Sequence, residues 1–316
     1  MARILAIGGA HIDRTGRLDA PHHAGASNPG RWVSEPGGGA FNAARNLARL
    51  GHHVTLVSPR GGDAAADQVA EAAEAAGIVD CPLTFLDRAT PSYTAILEPD
   101  GNLVTALADM ALYDIIPARR LMSARMRARI AASDLVLADA NLPQDALTAL
   151  THETGTQGVP MAAIAVSPAK VVRWKASLSA LTLLAMNTAE AAALARGSEG
   201  GGDDVPGAWL PALRATGLGS GLVSAGAGPV HAYAGETALS FVPPPLSEIV
   251  DVTGAGDALL SGYLDAWLNG KPVEACLISG IALARLTTAT AGPVRQDLTG
   301  ERLAQAIAAM PKPAGI

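Results

Sequence analysis

Residues 251–268 read DVTGAGDALLSGYLDAWL. Gly254, Ala255 and Gly256 lead straight into a carboxylate, Asp257. Apolar residues at helical spacing follow: Leu259, Leu260, Tyr263, Leu264, Trp267 and Leu268. A glycine-rich turn entering a helix leaves backbone N–H groups without intrahelical partners. Those donors and the helix dipole favour an anion. An aspartate beside an anion site is out of place if holding the anion is the whole task, because it repels the guest. It fits if the anion is a phosphoryl group and the carboxylate takes a proton from the hydroxyl that attacks it. A bare GxGD is more often structural, since Asp is common in a first helical turn and GAG is a common turn. The longer string is the more specific signal.

A second glycine cluster, residues 36–51 reading PGGGAFNAARNLARLG, opens a helix expected over 41–50 and closed by Gly51. Asn42, taken alone, is a helix residue facing a loop. Asn187 and Glu190 have the spacing of a capping box. Ser224-Ala225-Gly226-Ala227-Gly228 fits a strand-to-hairpin turn in which glycine admits close backbone approach. The string GxxxxGK[ST] is absent, which excludes a P-loop kinase. Residues 8–13, GGAHID, follow an apolar run but lack the GxGxxG spacing of a dinucleotide site.

The elements that must position these residues alternate between strand and helix. Residues 3–8 form an apolar run ending in glycine, the pattern of a buried parallel strand. Strands are expected at 53–58, 134–138, 161–166, 181–186 and 221–224. Helices are expected from about 61 to 76 and at 144–154, 168–177, 187–195, 209–216, 273–289 and 301–310. Residues 197–207 make a glycine-rich acidic loop, and 230–233 with 237–242 a hairpin around Gly235. Such alternation argues for a doubly wound, mostly parallel sheet of α/β class. Strand-like segments at 82–86, 92–98 and 103–108, the last two joined by Pro99-Asp100-Gly101-Asn102, and the polar stretch 14–35 do not fit that pattern.

Composition narrows the function class. The chain has 316 residues, enough for one large α/β domain or two ordinary ones, and is 49% hydrophobic with 3% aromatic residues. Its core must therefore be built from Ala, Leu, Val and Ile. A net charge of −6 without runs of like charge argues against a nucleic-acid partner. Cys81 and Cys276 are far apart and the His pairs 22–23 and 52–53 are adjacent. A metal cage or disulfide framework is thus not expected, and a reducing cytoplasm fits. Three residues before ILAIGG leave no room for a signal peptide, and no apolar run approaches the ~20 residues of a membrane span.

DVTGAGDALLSGYL, PGGGAFNAARNLARLG and NTAE together resemble the signatures of the ribokinase-like (PfkB) family of sugar and nucleoside kinases, and the resemblance covers nearly the whole chain. It implies a core of residues 1–13, 36–90 and 109–316, with a small β lid from 14–35 and 91–108 that covers the substrate and can form a dimer surface. It implies that Asp257 is the base and that Gly254, Ala255 and Gly256 form the anion hole. Asp13, Gly38, Gly39 and Asn42 then bind the sugar hydroxyls, and Ser224, Gly226, Gly228 and Ser279 the nucleotide. Asn187 and Glu190 would order Mg²⁺ through water beside ATP, a use that suits carboxylate oxygen. Asp251 and Thr253 match a monovalent-cation position, here K⁺, although Asp251 could equally cap the turn.

The usual glycine near Ala66 is missing, and the GAGD motif carries no lysine. Residues 27–31, 42–51 and 92–114, with SPAK at 167–170, are most similar to the branch that phosphorylates pseudouridine at its 5′-hydroxyl. A ribokinase, another sugar kinase, or an idle nucleoside sensor are the alternatives. Phe41 could face the base or pack in its helix. Ser27, Asn28, Asp109 and Asn141 are candidate base readers, each also at home in a loop or turn.

Overall fold

The computed structural model describes residues 1–195, 209–246 and 248–311; the expected acidic loop at 197–207 lies outside them. In chain order the strands are β1 (Arg3–Ile7), β2 (His11–Leu18), β3 (Gly30–Gly37), β4 (His53–Val57), β5 (Pro59–Gly61), β6 (Val79–Asp80), β7 (Leu83–Phe85), β8 (Ser92–Leu97), β9 (Leu103–Asp109), β10 (Leu135–Asp139), β11 (Met161–Ile164), β12 (Leu183–Asn187), β13 (Ser220–Ser224), β14 (Val230–Ala234) and β15 (Thr237–Phe241). The main sheet runs β15-β14-β13-β12-β11-β10-β1-β4-β6. It is parallel from β13 to β6, and the β14–β15 hairpin adds an antiparallel edge.

Both faces of this sheet are covered, which is why its strands are apolar throughout. Leu5, Ile7, Val136 and Ala138 point to one face, packed by helices Gln144–Gln157, Thr188–Ala195 and Trp209–Ala215. Ile4, Ala6, Leu135 and Leu137 point to the other, packed by Gly39–Arg49, Ala64–Ala75, Ala255–Leu268 and Val273–Thr288. From β1 the chain first moves to β4 on one side and later to β10 on the other. A doubly wound sheet binds its ligand at such a reversal, beyond the carboxyl ends of the strands.

Of the stretches outside the alternating pattern, 82–86 holds β7, which pairs with β5 in a two-stranded sheet, while 14–35, 92–98 and 103–108 form a separate four-stranded sheet, β3-β2-β8-β9. Its β8–β9 hairpin turns at the expected Pro99–Asn102 segment, where Glu98 N–H donates to Asn102 O at 2.8 Å. Trp32 lies across Gly16, whose missing side chain leaves room for the ring. Two segments depart from expectation. The segment 168–177 is one short α-turn, Pro168–Val171, continued as a 3₁₀ helix over Val172–Ala180. Residues 110–132, for which the sequence offers no periodic signal, hold three short helices at Ala111–Asp114, Ala118–Leu121 and Ala124–Ala131.

Candidate active site

Helix Ala255–Leu268 begins at Gly254, which has φ of 73° and no side-chain cap. A Cβ there would lie 2.1 Å from Pro293 O, so only glycine fits. Ala255 N–H reaches Val252 O at 3.3 Å. The amides of Gly256 and Asp257 begin the helix without such a partner, as the first turn of any helix must. A Cβ on Gly256 would meet nothing within 4 Å, because the residue faces an open cleft of about 750 Å³.

Asp257 sits at the foot of that cleft, half-buried and still open to it. Its Oδ2 accepts from Asn42 Nδ2 at 2.8 Å. Burial pushes its carboxyl up to about 7, with Asp139 and Asp13 adding repulsion and the Asn42 hydrogen bond and Arg45 opposing the rise. Such a group is part-ionised at neutral pH and suited to taking a proton.

The second glycine cluster delivers Asn42 to this point. Helix Gly39–Arg49 starts at Gly38, whose φ of 114° and approach to Gly9 O, 2.4 Å from a would-be Cβ, exclude any side chain. A Cβ on Gly37 would lie 1.9 Å from Asp13 Oδ2. The same glycine run thus lets Asp13 lie against the loop while Gly39 and Asn42 face Asp257. Asp13 is held from below: its Oδ1 is 3.3 Å from His11 Nε2, and His11 Nδ1 is 3.0 Å from Tyr113 Oη. Tyr113 already accepts from Ala10 N–H at 3.0 Å. Its buried hydroxyl thus links the backbone after β1 to the His11 ring.

Asp139 was not singled out from the sequence, yet it ties the two loops together. It is fully buried at the end of β10. It accepts from Gly9 N–H at 2.9 Å, Ala40 N–H at 3.1 Å, Asn141 N–H at 3.0 Å and Asn141 Nδ2 at 3.1 Å. A Cβ on Gly8 would lie 2.6 Å from its carboxylate and one on Gly9 2.5 Å from Asn141 Nδ2, which accounts for the two glycines after β1. A lone Asp ending an apolar strand carries no sequence signal of this role. Arg45 is the other missed residue: it is 6% exposed and donates to Asn42 Oδ1 at 2.6 Å and Pro36 O at 2.7 Å.

The remaining expected residues divide into those on the cleft and those off it. Asn187, Glu190, Ser224 and Gly226 line it. Asn187 N–H donates to Glu190 Oε2 at 2.7 Å and Glu190 N–H to Asn187 Oδ1 at 2.9 Å, a closed capping box. One Glu190 oxygen remains beside the cleft, and a single carboxylate with water suits Mg²⁺ bound largely through phosphates. Gly228 serves the turn itself, with its N–H on Ala225 O at 2.9 Å. Ser279 does not reach the cleft; it is buried against Gly262 of the neighbouring helix, and its hydroxyl has no partner. Ile281, Ala284 and Thr288 of the same helix line the cleft instead.

Asp251 uses both oxygens on backbone amides, Thr253 N–H at 2.9 Å and Gly292 N–H at 3.2 Å, so turn capping is its observed task. Phe41 is fully buried under the Arg45 guanidinium and does not face a ligand. Of the candidate base readers, Ser27 and Asp109 are exposed, and Asn28 bonds within its own loop to His23 and Ala26. Asn141 is buried and takes Lys170 Nζ on its Oδ1 at 2.7 Å. Val166, on the cleft wall, has φ of 69° with Ser167 N–H bonded to Ala165 O at 2.9 Å. A β-branched residue in that conformation is strained, and such strain concentrates at functional sites.

A carboxylate beside an uncapped helix start, with a glycine-lined approach at the switch point of a doubly wound sheet, fits a phosphotransferase with an alcohol group as acceptor. Residues 1–298 match the pfkB family carbohydrate kinase, and the chain belongs to that family. It is 30% identical over 274 residues to the pseudouridine kinase of Escherichia coli (strain K12), covering 85% of each chain. A solved carbohydrate kinase from Agrobacterium tumefaciens shares 49% identity over 99% of both chains, with a TM-score of 0.87. The Arabidopsis thaliana ribokinase complexed with ribose and ATP has the same fold, at 19% identity over 97% of this chain and 98% of that one, with a TM-score of 0.83.

Proposed function

We propose that this kinase transfers the γ-phosphoryl group of ATP to a ribose-bearing nucleoside, with pseudouridine yielding pseudouridine 5′-phosphate. The observation that carries the reaction is the Asn42–Asp257 contact of 2.8 Å at the foot of the cleft, with the carboxyl pushed up to about 7. The 30% identity to the E. coli pseudouridine kinase, over 85% of each chain, supports the acceptor.

Asp13, with Asn42, Gly38 and Gly39, orients the ribose so that its 5′-hydroxyl meets Asp257. The hydroxyl oxygen forms the new bond to γ-phosphorus, its proton passes to an Asp257 oxygen, and the bond to the β,γ-bridging oxygen breaks to release ADP. The amides that open helix Ala255–Leu268 stabilise charge on the phosphoryl oxygens as it develops. Mg²⁺, held through water by Glu190 with Asn187 behind it, would supply further charge neutralisation. Ser224 and Gly226 border the phosphates, and Ile281, Ala284 and Thr288 give the nucleotide base an apolar wall. K⁺ at Asp251 and Thr253 rests on the resemblance, and the geometry favours turn capping there.

The four-stranded sheet acts as a lid. Its exposed Trp32 and Leu107, 61% and 70% accessible, support a homodimer formed through it. Among the described residues no helix is long and apolar enough to cross a membrane. A cytoplasmic site of action, without a nucleic-acid partner, fits the unpaired cysteines and the net charge of −6.

The test is ADP release on a panel of pseudouridine, uridine, adenosine, ribose and fructose 6-phosphate. The highest kcat/KM is expected with pseudouridine. Preference for ribose would make the chain a sugar kinase. Tight nucleoside binding without turnover on any acceptor would favour a sensor.

A further inference from the structure

We propose that Arg45 is a positioning residue that fixes the Asn42 amide so that its nitrogen, and not its oxygen, faces the base Asp257. This rests on Asp257 being the base. An asparagine amide has two ends of similar shape, one donating and one accepting, and reversing it costs nothing sterically. With the oxygen turned towards Asp257, two acceptors would face one another. Arg45 removes that choice. A guanidinium only donates, and its Nη2 lies 2.6 Å from Asn42 Oδ1 and 2.7 Å from Pro36 O. Nδ2 must then point the other way, where it meets Asp257 Oδ2 at 2.8 Å.

Beyond its bond to Pro36 O, Arg45 is held in the fold at a cost. It is 6% exposed, its Nε has no partner, and its guanidinium lies over the Phe41 ring at 4.5 Å. Burying a charge with an unsatisfied donor is costly, and an apolar side chain could cover Phe41 equally well. Burial, then Arg49, lowers its pKa to about 10, so it stays charged at neutral pH.

Arg45 therefore favours the ionised base twice, by its own charge and through the donor it aims. The groups acting on Asp257 are Asn42 and Arg45 from helix Gly39–Arg49, Asp139 from β10 and Asp13 from β2. Glu35 on β3 and Arg49 act on Arg45. Glu190 lines the same cleft.

The test compares the acid limb of kcat/KM in wild type, Arg45→Met, Arg45→Gln and Arg45→Lys, with thermal melts as folding controls. In Arg45→Met the limb should move up by about half to one pH unit, as expected when a favourable neighbouring charge is removed. Arg45→Lys should return it at least halfway. Arg45→Gln keeps a donor without the charge, and should give a smaller rise if Arg45→Met does not fold. A ¹³C titration of the Asp257 carboxyl, assigned by its loss in Asp257→Asn, should show the same upward shift without turnover. A limb and a titration at wild-type pH in the folded neutral variants would overturn the role of Arg45 while leaving the base intact. Full activity of Asp257→Asn would instead remove the base, and the Arg45 proposal with it.

Discussion

At the scale of single residues, the proposed chemistry depends on one carboxylate that holds its proton more tightly than it would in water. Asp257 is driven up by burial and by two neighbouring carboxylates, and restrained by Asn42 and Arg45. As a base it works only when ionised. The kcat/KM should therefore fall about tenfold per pH unit below about 7, and a profile flat from pH 8 to 5.5 would exclude it from that role. The same shift has a stability consequence. Because the folded carboxyl binds its proton more tightly than the unfolded one, its ionisation opposes folding at pH values above about 7. That opposition lessens as the pH falls and is gone below the ordinary aspartate range near 4. Asp257→Asn should accordingly raise the melting temperature at pH 8 relative to wild type and lose that advantage at pH 4. Asp257 and Asn42 were legible in the sequence because glycines flank them in distinctive strings. Asp139 and Arg45 were not. Asp139 acts on Gly9 and Ala40 from sequence separations of 130 and 99 residues, and Arg45 looks like any exposed helical arginine until Pro36 and Phe41 close over it.

At the scale of elements, two helix starts converge, and both depend on glycines for reasons that differ. Gly38 and Gly254 are fixed by conformation and by backbone atoms that a side chain would strike. Gly256 is under neither constraint, since a Cβ there would enter open cleft space. Gly256→Ala should thus leave the fold intact, and gain up to about 1 kcal/mol from alanine's higher helix propensity. Its turnover should drop at least tenfold, because the methyl group enters the space where the phosphoryl group is proposed to sit. Unchanged turnover would show that the helix start does not hold that group. Long elements were readable because their burial leaves a period. The short helices between residues 111 and 131 were not, since helices of four to eight residues carry too few apolar positions to set one. The segment 82–86 read as strand-like, but its pairing with β5 in a two-stranded sheet was invisible, because the three residues of β5 give no alternation to read.

At the scale of the whole molecule, the doubly wound sheet brings β1, β10, β11, β12 and β13 to one rim, and the four-stranded sheet stands beside it. The alternation of strand and helix announced the first of these. The second was recognisable as segments outside that alternation, with a hairpin turn at residues 99–102 and a family resemblance that implied a small β lid. What the sequence could not convey is how the two glycine loops are tied: Asp139 joins the loop after β1 to the start of helix Gly39–Arg49, and Tyr113 contacts His11 beside Asp13. In the proposed reaction that scaffold brings one acceptor hydroxyl to Asp257. The most direct measurement is therefore the turnover of Asp257→Asn with ATP and pseudouridine. The substitution keeps the size of the side chain and removes its ability to take a proton. The account predicts a loss of ~10²–10⁴ in kcat with nucleoside binding retained. A kcat equal to that of the wild type would contradict it.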